Sequence, residues 1–418
     1  MDGRAIDQFR STLSTSGGSS ADATDWPQLF GPTRTSNAAD QAVDLVWGAN
    51  GPRQQWSIEV GTGYGSPVVS RDHVVFNHRI GDEEIVQCVD STDGQTIWTH
   101  RYPTTFVCDV EYSDGPYSTP VIVDDRVYTF GGQGQLFCLS LDSGQPLWNR
   151  NLHQEYSVED GLFPVGASPL IEQGRLFFNL GAIDHDAGII ALDAASGEDI
   201  WQSTDHPAGY CSPMAATIHG KRFLFVMTNV GLVSLDPETG TMDWMVEHYS
   251  RSPMSYNAVS PLVVDDKVLL VTGPGPGAVC VQIHPNRTHS ELWRDRRVID
   301  SQYNTLMRSD SDVIGFTSAG QGGAELRCVN MGSGKLRWKY HSLLRRGQGL
   351  MVGGALVVLG ERGHLAALLP SDDGPQVIAF TEKPLMSEPC YCAPALAGSR
   401  LYLKDEQRLA CFDLSVEP

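Results

Sequence analysis

A chain of 418 residues with a formal net charge of −20 is long enough for two or three ordinary domains or for one large repeat ring. The acidic balance excludes nucleic acid and anionic lipid as expected partners, because both carry negative charge and would be repelled. The sequence holds no run of 18 apolar residues, so no transmembrane segment is expected.

The first part of the chain differs in composition from the rest. Residues 1–24 are rich in Ser, Thr, Gly and Asp and contain no apolar run. This composition predicts a disordered tail and is not typical of a secretory signal. Residues 25–418 are predicted to form a single domain, because one repeat runs through nearly all of them.

The repeat is a phrase that ends in tryptophan, as in "VDSTDGQTIW", "LDSGQPLW", "LDAASGEDIW", "LDPETGTMDW" and "VNMGSGKLRW". Its Gly tolerates the positive φ of a tight hairpin, and a buried Trp removes about 150–250 Å² from water between neighbouring sheets. Successive tryptophans lie 42 to 53 residues apart, a period that predicts a propeller or a solenoid. The tryptophans predicted to dock one unit on the next are Trp56, Trp98, Trp148, Trp201, Trp244, Trp293 and Trp338.

Each unit reads as four short strands separated by turns. The first strand opens at an "SP" or "TP" pair, the second is a hydrophobic run after a polar turn, the third ends in Asp or Asn, and the fourth carries Trp. Period-two alternation and β-branched residues support strands, and no window has sustained helical periodicity. Three units depart from the phrase: Ser140 replaces its Asp, the fifth unit has no turn Gly, and Ile378 takes the place of Trp.

Seven complete units span about residues 66–383, and two partial ones remain. Residues 391–414 hold three strands without a Trp strand, whereas "QQWSIEV" near the N-terminus is a Trp strand without a unit. Joining them closes a ring and removes the free sheet edges. The sequence therefore predicts an all-β, eight-bladed propeller in which an N-terminal strand completes the C-terminal blade.

The nine cysteines bear on the compartment. Cys88, Cys138, Cys328 and Cys411 occupy one equivalent repeat position in different units, too far apart to form disulfides with one another. Free thiols and the lack of an export signal favour the cytoplasm. The cell envelope is the alternative if the true start of the chain is missing.

The residues of the repeat also carry a family resemblance. The phrase Ala/Cys–apolar–Asp–x–x–Ser/Thr–Gly–x–x–x–Trp resembles the tryptophan-docking motif of PQQ-like, quinoprotein-type β-propellers. "DWPQLFGPTRTS" (residues 25–36) is similar to the "DWPQ…GP" lead-in of a BamB-like bacterial subgroup that is common in planctomycetes. The resemblance covers the chain from about Trp56 to its C-terminus.

The resemblance implies which residues a quinone cofactor would need in this sequence. A quinoprotein dehydrogenase stacks its quinone on a Trp, binds Ca²⁺ through Glu, Asn and Asp, and often has two adjacent cysteines. This chain has only the wider spacing Cys390-Tyr391-Cys392, and docking accounts for the tryptophans from Trp98 to Trp338. The sequence therefore favours no cofactor and no metal site, with PQQ and calcium as the alternative.

One further pattern points to a binding site. Tyrosine recurs three residues before the proline position that opens the innermost strand, and such residues surround one mouth of a propeller channel. The alternative is that Tyr is a repeat residue packed within its own blade. The predicted channel-rim residues are Tyr64, Tyr117, Tyr210, Asn257, Tyr303, Asn304, Gln348 and Tyr391.

These observations favour a monomeric binding or scaffold protein over an enzyme, and no catalytic residue is assigned. A protein partner or a small-molecule or glycan ligand is expected at the channel mouth, because phenol rings suit sugars, peptides and planar ligands. The alternative is a quinone-dependent dehydrogenase or a carbohydrate-active enzyme that uses the central funnel.

Overall fold

A computed structural model describes five stretches of the chain, and the predicted tail, residues 1–24, lies outside them. The described residues are 25–38, 41–251, 256–304, 306–318 and 323–416. Within them, 32 strands form eight antiparallel sheets of four strands each. The predicted eight-bladed propeller is confirmed.

A lone strand, β1 (Arg53–Glu59), precedes the first complete blade. In each of the next blades the first strand is the innermost, and in blades one, two, three, five and six it has only three residues. Blade one consists of β2 (Val68–Ser70), β3 (His73–Ile80), β4 (Glu83–Asp90) and β5 (Thr96–Pro103); blade two of β6 (Val121–Val123), β7 (Arg126–Phe130), β8 (Gln135–Ser140) and β9 (Pro146–Asn151); and blade three of β10 (Leu170–Glu172), β11 (Arg175–Ala182), β12 (Ala187–Asp193) and β13 (Asp199–Ser203).

The next four blades repeat this order. Blade four consists of β14 (Met214–Ile218), β15 (Lys221–Met227), β16 (Gly231–Leu235) and β17 (Met242–Glu247); blade five of β18 (Leu262–Val264), β19 (Lys267–Thr272), β20 (Gly277–Ile283) and β21 (His289–Asp295); blade six of β22 (Met307–Ser309), β23 (Asp312–Phe316), β24 (Leu326–Asn330) and β25 (Leu336–Tyr340); and blade seven of β26 (Gly347–Val352), β27 (Ala355–Gly360), β28 (Leu365–Leu369) and β29 (Gln376–Phe380).

Blade eight is assembled from both ends of the chain. Its inner strands are β30 (Ala395–Ala397), β31 (Arg400–Lys404) and β32 (Arg408–Asp413), and its outer strand is β1. The register pairs Trp56 with Cys411 and Glu59 with Arg408. The predicted closure of the ring by the N-terminal strand is confirmed.

The helical content of the described residues is small. The α-helix α1 (Leu152–Glu155) has four residues, and a 3₁₀ turn covers Ile183–His185. No helix within the described ranges is long and apolar enough to cross a bilayer.

At five junctions between blades, the tryptophan of an outer strand meets the turn of the following blade. Its indole Nε1 donates to a backbone carbonyl oxygen of that turn. The five bonds are Trp56 to Ser91 at 3.0 Å, Trp98 to Leu141 at 2.6 Å, Trp148 to Ala194 at 3.2 Å, Trp201 to Pro237 at 3.1 Å and Trp293 to Met331 at 2.8 Å.

The turn glycine lies directly under the tryptophan of the preceding blade. At Gly144, φ is +67°, and a Cβ would come within 2.4 Å of the Trp98 ring. Gly240 has φ of +72° and the same relation to Trp201 at 2.6 Å. The phrase therefore carries Gly because both the backbone conformation and the ring above it exclude a side chain.

A segment before β1 crosses the ring at the end of the channel. This lead-in segment, residues 25–38, bonds to inner strands of several blades. Trp26 bridges Val69 in blade one, the Pro27 carbonyl oxygen accepts from the Ile122 amide in blade two, and the Ser36 carbonyl oxygen accepts from the Met351 amide in blade seven.

Arg34 fixes the middle of the lead-in segment. Its guanidinium donates to the carbonyl oxygens of Pro169, in front of blade three, and Pro213, in front of blade four. Burial lowers the pKa of Arg34 to about 9, although the charge of Glu172 opposes this effect. The segment thereby spans the ring from blade one to blade seven.

Candidate aromatic binding site

The repeated "SP" and "TP" pairs build a ring of hydroxyl groups around the channel. The backbone amide of each such residue donates to the hydroxyl oxygen of the equivalent residue in the next blade. The bonds run from Ala393 to Ser66 at 2.8 Å, Ser66 to Thr119 at 3.0 Å, Thr119 to Ser168 at 2.8 Å, Ser168 to Ser212 at 2.9 Å and Ser212 to Ser260 at 3.1 Å. This hydroxyl girdle links blade eight to blade five through blade one.

Above the girdle lies a cavity of about 350 Å³, which we call the aromatic cavity. Nine of its lining residues are aromatic, and none carries an ionisable acid or base other than phenol. The lining comprises Leu29, Phe30, Tyr64, Ser66, Tyr112, Tyr117, Thr119, Phe163, Gly166, Tyr210, Ser212, Tyr256, Ala258, Ser260, Gln302, Tyr303, Gln348, Tyr391 and Ala393.

Six of the eight predicted rim residues line this cavity. They are Tyr64, Tyr117, Tyr210, Tyr303, Gln348 and Tyr391. Each tyrosine comes just before an innermost strand, and Gln348 lies within β26. Their role in binding a ligand stays a prediction.

The aromatic rings form a continuous series around the wall. Tyr391 contacts Tyr303 and Tyr64, with ring centroids 4.8 and 5.0 Å apart, and Tyr64 contacts Tyr117 at 4.7 Å. Most contacts are tilted or edge-on, the geometries that aromatic pairs prefer. The series fixes the rings in place, so the cavity wall is preformed.

The other two predicted rim residues, Asn257 and Asn304, lie outside the cavity lining. Asn257 is 1% exposed; its amide donates to the carbonyl oxygens of Thr228 and His248, and its carbonyl oxygen accepts from Thr272 Oγ1. The Asn304 amide donates to the Gly347 carbonyl oxygen at 2.9 Å. Both side chains hold backbone in place, and the neighbouring Tyr256 faces the cavity instead.

Two aromatic residues of the wall come from long inter-blade loops rather than from repeat positions. Tyr112 lies in the loop between β5 and β6, and Phe163 lies in the loop between α1 and β10. Blade three has Gly166 where five of the other blades have Tyr, and the rings of Phe163 and Tyr210 lie 5.7 Å apart beside it. A Cβ on Gly166 would come within 2.9 Å of Tyr210, so Phe163 supplies the ring that blade three lacks.

The floor of the cavity is formed by the lead-in segment. Leu29 and Phe30 both line it. Phe30 has φ of +66°, a left-handed conformation that is an outlier for a bulky residue. Such conformations persist only where the surrounding structure enforces them, here through the bonds of the lead-in segment to the blades.

The wall at blades six to eight is more polar. Behind it, Arg346 donates to Glu361 and to Gln302 Oε1 and lies 4.9 Å from the Tyr303 ring centre. Tyr391 donates to Glu361 at 3.1 Å. Burial acts to raise the pKa of Glu361, but the bonds and charge of Arg346 outweigh it and hold the pKa below its usual range.

Burial raises the pKa values of five phenols of the cavity. Burial raises the pKa of Tyr391 to about 12. Burial also raises the pKa values of Tyr64, Tyr117, Tyr210 and Tyr303. These five phenols therefore add no charge to the wall at neutral pH, and the hydroxyl groups of Tyr117 and Tyr391 already donate to the Ser113 carbonyl oxygen and to Glu361.

The seven predicted docking tryptophans lie away from the cavity. All of them are in outer strands, and none lines the cavity described above. Among the described residues, Trp244 and Trp338 make no Nε1 bond like those at the five junctions. Trp244 instead packs against His289 with ring centroids 4.3 Å apart and a tilt of 37°.

The nine thiols are free, and eight of them are buried. Cys108 is the partly exposed one, and its Sγ lies 3.6 Å from the carbonyl oxygen of Leu162, next to Phe163 in sequence. The accessible thiol is therefore beside the wall of the cavity.

Comparison with known proteins identifies relatives for much of this ring. The family model described as outer membrane protein assembly factor BamB matches residues 81–340. Assembly factor BamB of Yersinia pestis is 28% identical over 254 residues, which are 58% of this chain and 56% of that protein. Quinoprotein ethanol dehydrogenase of Pseudomonas putida is 30% identical over 149 residues, which are 32% of this chain and 23% of that enzyme. The chain thus spans about half or less of the length of these curated relatives.

Two solved structures share the fold. BamB from Moraxella catarrhalis has a TM-score of 0.63 at 17% identity and covers 87% of this chain and 100% of its own. Quinohemoprotein alcohol dehydrogenase from Comamonas testosteroni has a TM-score of 0.69 at 13% identity and covers 99% of this chain and 84% of its own. At these identities the likeness extends to the fold alone.

Proposed function

Since this chain belongs to the family described as outer membrane protein assembly factor BamB, we propose that it is a binding protein that receives a neutral ligand, or a neutral segment of a protein partner, in its aromatic cavity. The observation that carries the proposal is a preformed pocket of about 350 Å³ with a neutral, largely aromatic wall. Concave, mostly apolar pockets with a few fixed polar groups are typical small-ligand sites.

The lining does not fit the quinone cofactor of the dehydrogenase relatives. PQQ carries carboxylates and is held with calcium, so its site needs cationic and carboxylate side chains. The cavity lining offers neither, and its floor is closed by Leu29 and Phe30. Among the described residues no group of three or more His, Cys, Asp and Glu side chains is arranged to hold a metal ion.

A carbohydrate-active enzyme is also less well supported than a binding protein. General acid and base catalysis needs a carboxylate or His within hydrogen-bond reach of the bound sugar. The carboxylate behind the wall, Glu361, is already bonded by Arg346 and Tyr391. A group held in this way favours a structural role for Glu361.

A protein partner is the second candidate. The family description names an assembly factor, which supports contacts with other proteins. We propose that the chain acts as a monomer, because the closed ring needs no second copy to complete its sheets.

We propose the cell envelope as the compartment, on the strength of the family description. The nine free thiols are only weak support for a reducing compartment, because buried thiols react slowly in any compartment. Burial raises the pKa of Cys392 to about 11, which leaves little of the reactive thiolate at neutral pH. Recovery of the native protein in the cytosolic fraction of disrupted cells would contradict this placement.

The proposed function is tested by blocking the cavity. Saturation-transfer NMR of the purified protein would use N-acetylated, C-amidated peptides containing Leu or Phe, and neutral sugars. We expect one of these classes to bind the wild type and to lose at least about tenfold in affinity in Ala258→Trp, because the added ring fills the pocket. Ala195→Trp, on an exposed turn of blade three, is the matched control and should bind as the wild type does.

The same preparation tests the dehydrogenase alternative. After incubation with PQQ and Ca²⁺, we expect no quinone absorbance to remain on the protein and no dye reduction with an alcohol and sugar panel. Cofactor-dependent dye reduction that is abolished by Ala258→Trp would overturn the proposal.

A further inference from the structure

We infer that the aromatic cavity binds a neutral sugar ring, such as the terminal unit of an oligosaccharide. This inference rests on the proposed function, since it names the ligand class of the same site. Three properties of the cavity carry it: its neutrality, the arrangement of its hydroxyl groups, and its aromatic wall.

The neutrality of the lining excludes ligands with an exposed charge. A carboxylate or ammonium group inside the cavity would lose its hydration without gaining an opposite charge, which is unfavourable. The ion pair of Arg346 and Glu361 lies behind the wall, and its two charges already satisfy each other. Uncharged polar ligands are therefore preferred over acids and amines.

The hydroxyl girdle supplies oriented hydroxyl groups to the lining of the cavity. Ser66, Thr119, Ser212 and Ser260 line the cavity, and each hydroxyl oxygen accepts a backbone amide of a neighbouring blade. Within the part of the chain that the structure describes, these hydroxyl groups donate to no protein acceptor. A Ser or Thr hydroxyl that accepts one bond keeps its hydrogen for another.

The girdle thereby distinguishes a sugar from an apolar side chain. A Leu or Phe side chain of a partner would bury these hydroxyl groups without a bond, and an unmet buried donor is costly. A sugar ring carries oxygen acceptors around its edge that can meet such donors.

The aromatic wall suits the remaining surface of a sugar. Pyranose rings have apolar C–H faces, and amphipathic tyrosine rings pack against such faces while their hydroxyl groups bond to the edge. The Gln302 amide also lines the cavity, with its oxygen accepting from Arg346, whereas Gln348 Nε2 already donates to the carbonyl oxygens of Tyr303 and Tyr391. The cavity volume of about 350 Å³ lies within the range of small-ligand pockets.

The inference is tested with neutral and charged sugars. Calorimetric titration would compare methyl β-glucoside and cellobiose with glucuronate and glucosamine. We expect the neutral sugars to bind and the charged ones to bind at least about tenfold more weakly. Equal affinity for glucuronate, or no binding of either neutral sugar, would overturn the inference.

A pair of serine variants tests the contact itself. Ser212 and Ser168 occupy equivalent girdle positions and each accept one backbone amide, but only Ser212 lines the cavity. We expect Ser212→Ala to weaken cellobiose binding about three- to tenfold and Ser168→Ala to change it less than about twofold. Equal losses in the two variants would mean that the girdle acts only on the structure and would contradict the contact.

The blocked variant separates failure of the inference from failure of the proposed function. If a neutral Leu or Phe peptide binds and Ala258→Trp abolishes it while cellobiose does not bind, the cavity is a binding site and the sugar inference is wrong. If neither class binds and Ala258→Trp changes nothing, both are wrong.

Discussion

At two adjacent junctions of the ring, a tryptophan docks on the next blade through different contacts. Between blades three and four, Trp201 lies on Gly240 and donates to the carbonyl oxygen of Pro237. Between blades four and five, the position of the turn glycine is taken by His289, whose ring packs against Trp244. The Trp244 Nε1 is buried and meets no acceptor among the described residues.

The second junction is held by a different set of contacts. Its hairpin is longer, and Arg287 adopts the left-handed conformation there, with φ of +67°. The Arg287 guanidinium makes two bonds of 2.7 Å to Asp243 and covers the Phe223 ring at 4.3 Å. The repeated phrase is therefore one way to dock a blade, and at this junction an ion pair and a tilted ring contact take the place of its glycine.

The largest effect is expected where the glycine is required. Gly240→Ala should lower the free energy of unfolding by about 3 kcal/mol, through a left-handed alanine and a Cβ about 2.6 Å from the Trp201 ring. Gly220→Ala is matched, since Gly220 also has φ of +72° in blade four but has open space around it, and should cost about 1 kcal/mol. Urea unfolding of both variants measures the difference in their free energies of unfolding. Equal losses of stability would show that Gly240 has no special role in packing.

An intermediate effect is expected from pH at the junction of blades four and five. Burial, with the charge of Arg294, lowers the pKa of His248 to about 4, so the folded protein keeps this ring neutral. Below about pH 6.5 the unfolded chain takes up the proton first, and stability should fall by about 2 kcal/mol between pH 7 and pH 5 from this group. Urea unfolding at both pH values should give a smaller difference in His248→Asn, and an unchanged difference would contradict the assignment.

The smallest expected effect is the difference in stability between variants of Trp201 and Trp244. Trp201→Phe leaves the Pro237 carbonyl oxygen without its donor and should cost about 1–2 kcal/mol beyond the lost area. Trp244→Phe removes an N–H that has no described acceptor and should cost less by about 1 kcal/mol. Thermal unfolding of the two variants ranks them, and a larger loss for Trp244→Phe would reverse the comparison.

The fold was predictable because the same packing demand recurs at every unit. In five units a Gly lies four residues before the Trp of its own blade, because the turn with that Gly receives the Trp of the preceding blade, and this signal survives in the sequence. Ring closure was predictable for the same reason, because a Trp strand at one end and three strands at the other can only complete each other.

The cavity was predictable in part. The tyrosines occupy a repeat position, so their shared location could be inferred, whereas Tyr112, Phe163 and the floor residues belong to loops that no repeat describes. The prediction placed Asn257 on the rim because it lies near an inner strand. Successive residues of extended chain face opposite ways, and Tyr256 takes the cavity side while Asn257 enters the blade.

The distribution of thiols has a practical consequence. With eight cysteines enclosed by their blades and Cys108 partly exposed, a maleimide dye should attach selectively to the native ring at a known point. Because that point adjoins Phe163 and the edge of the pocket, the emission of the dye would respond to occupancy without any engineered residue.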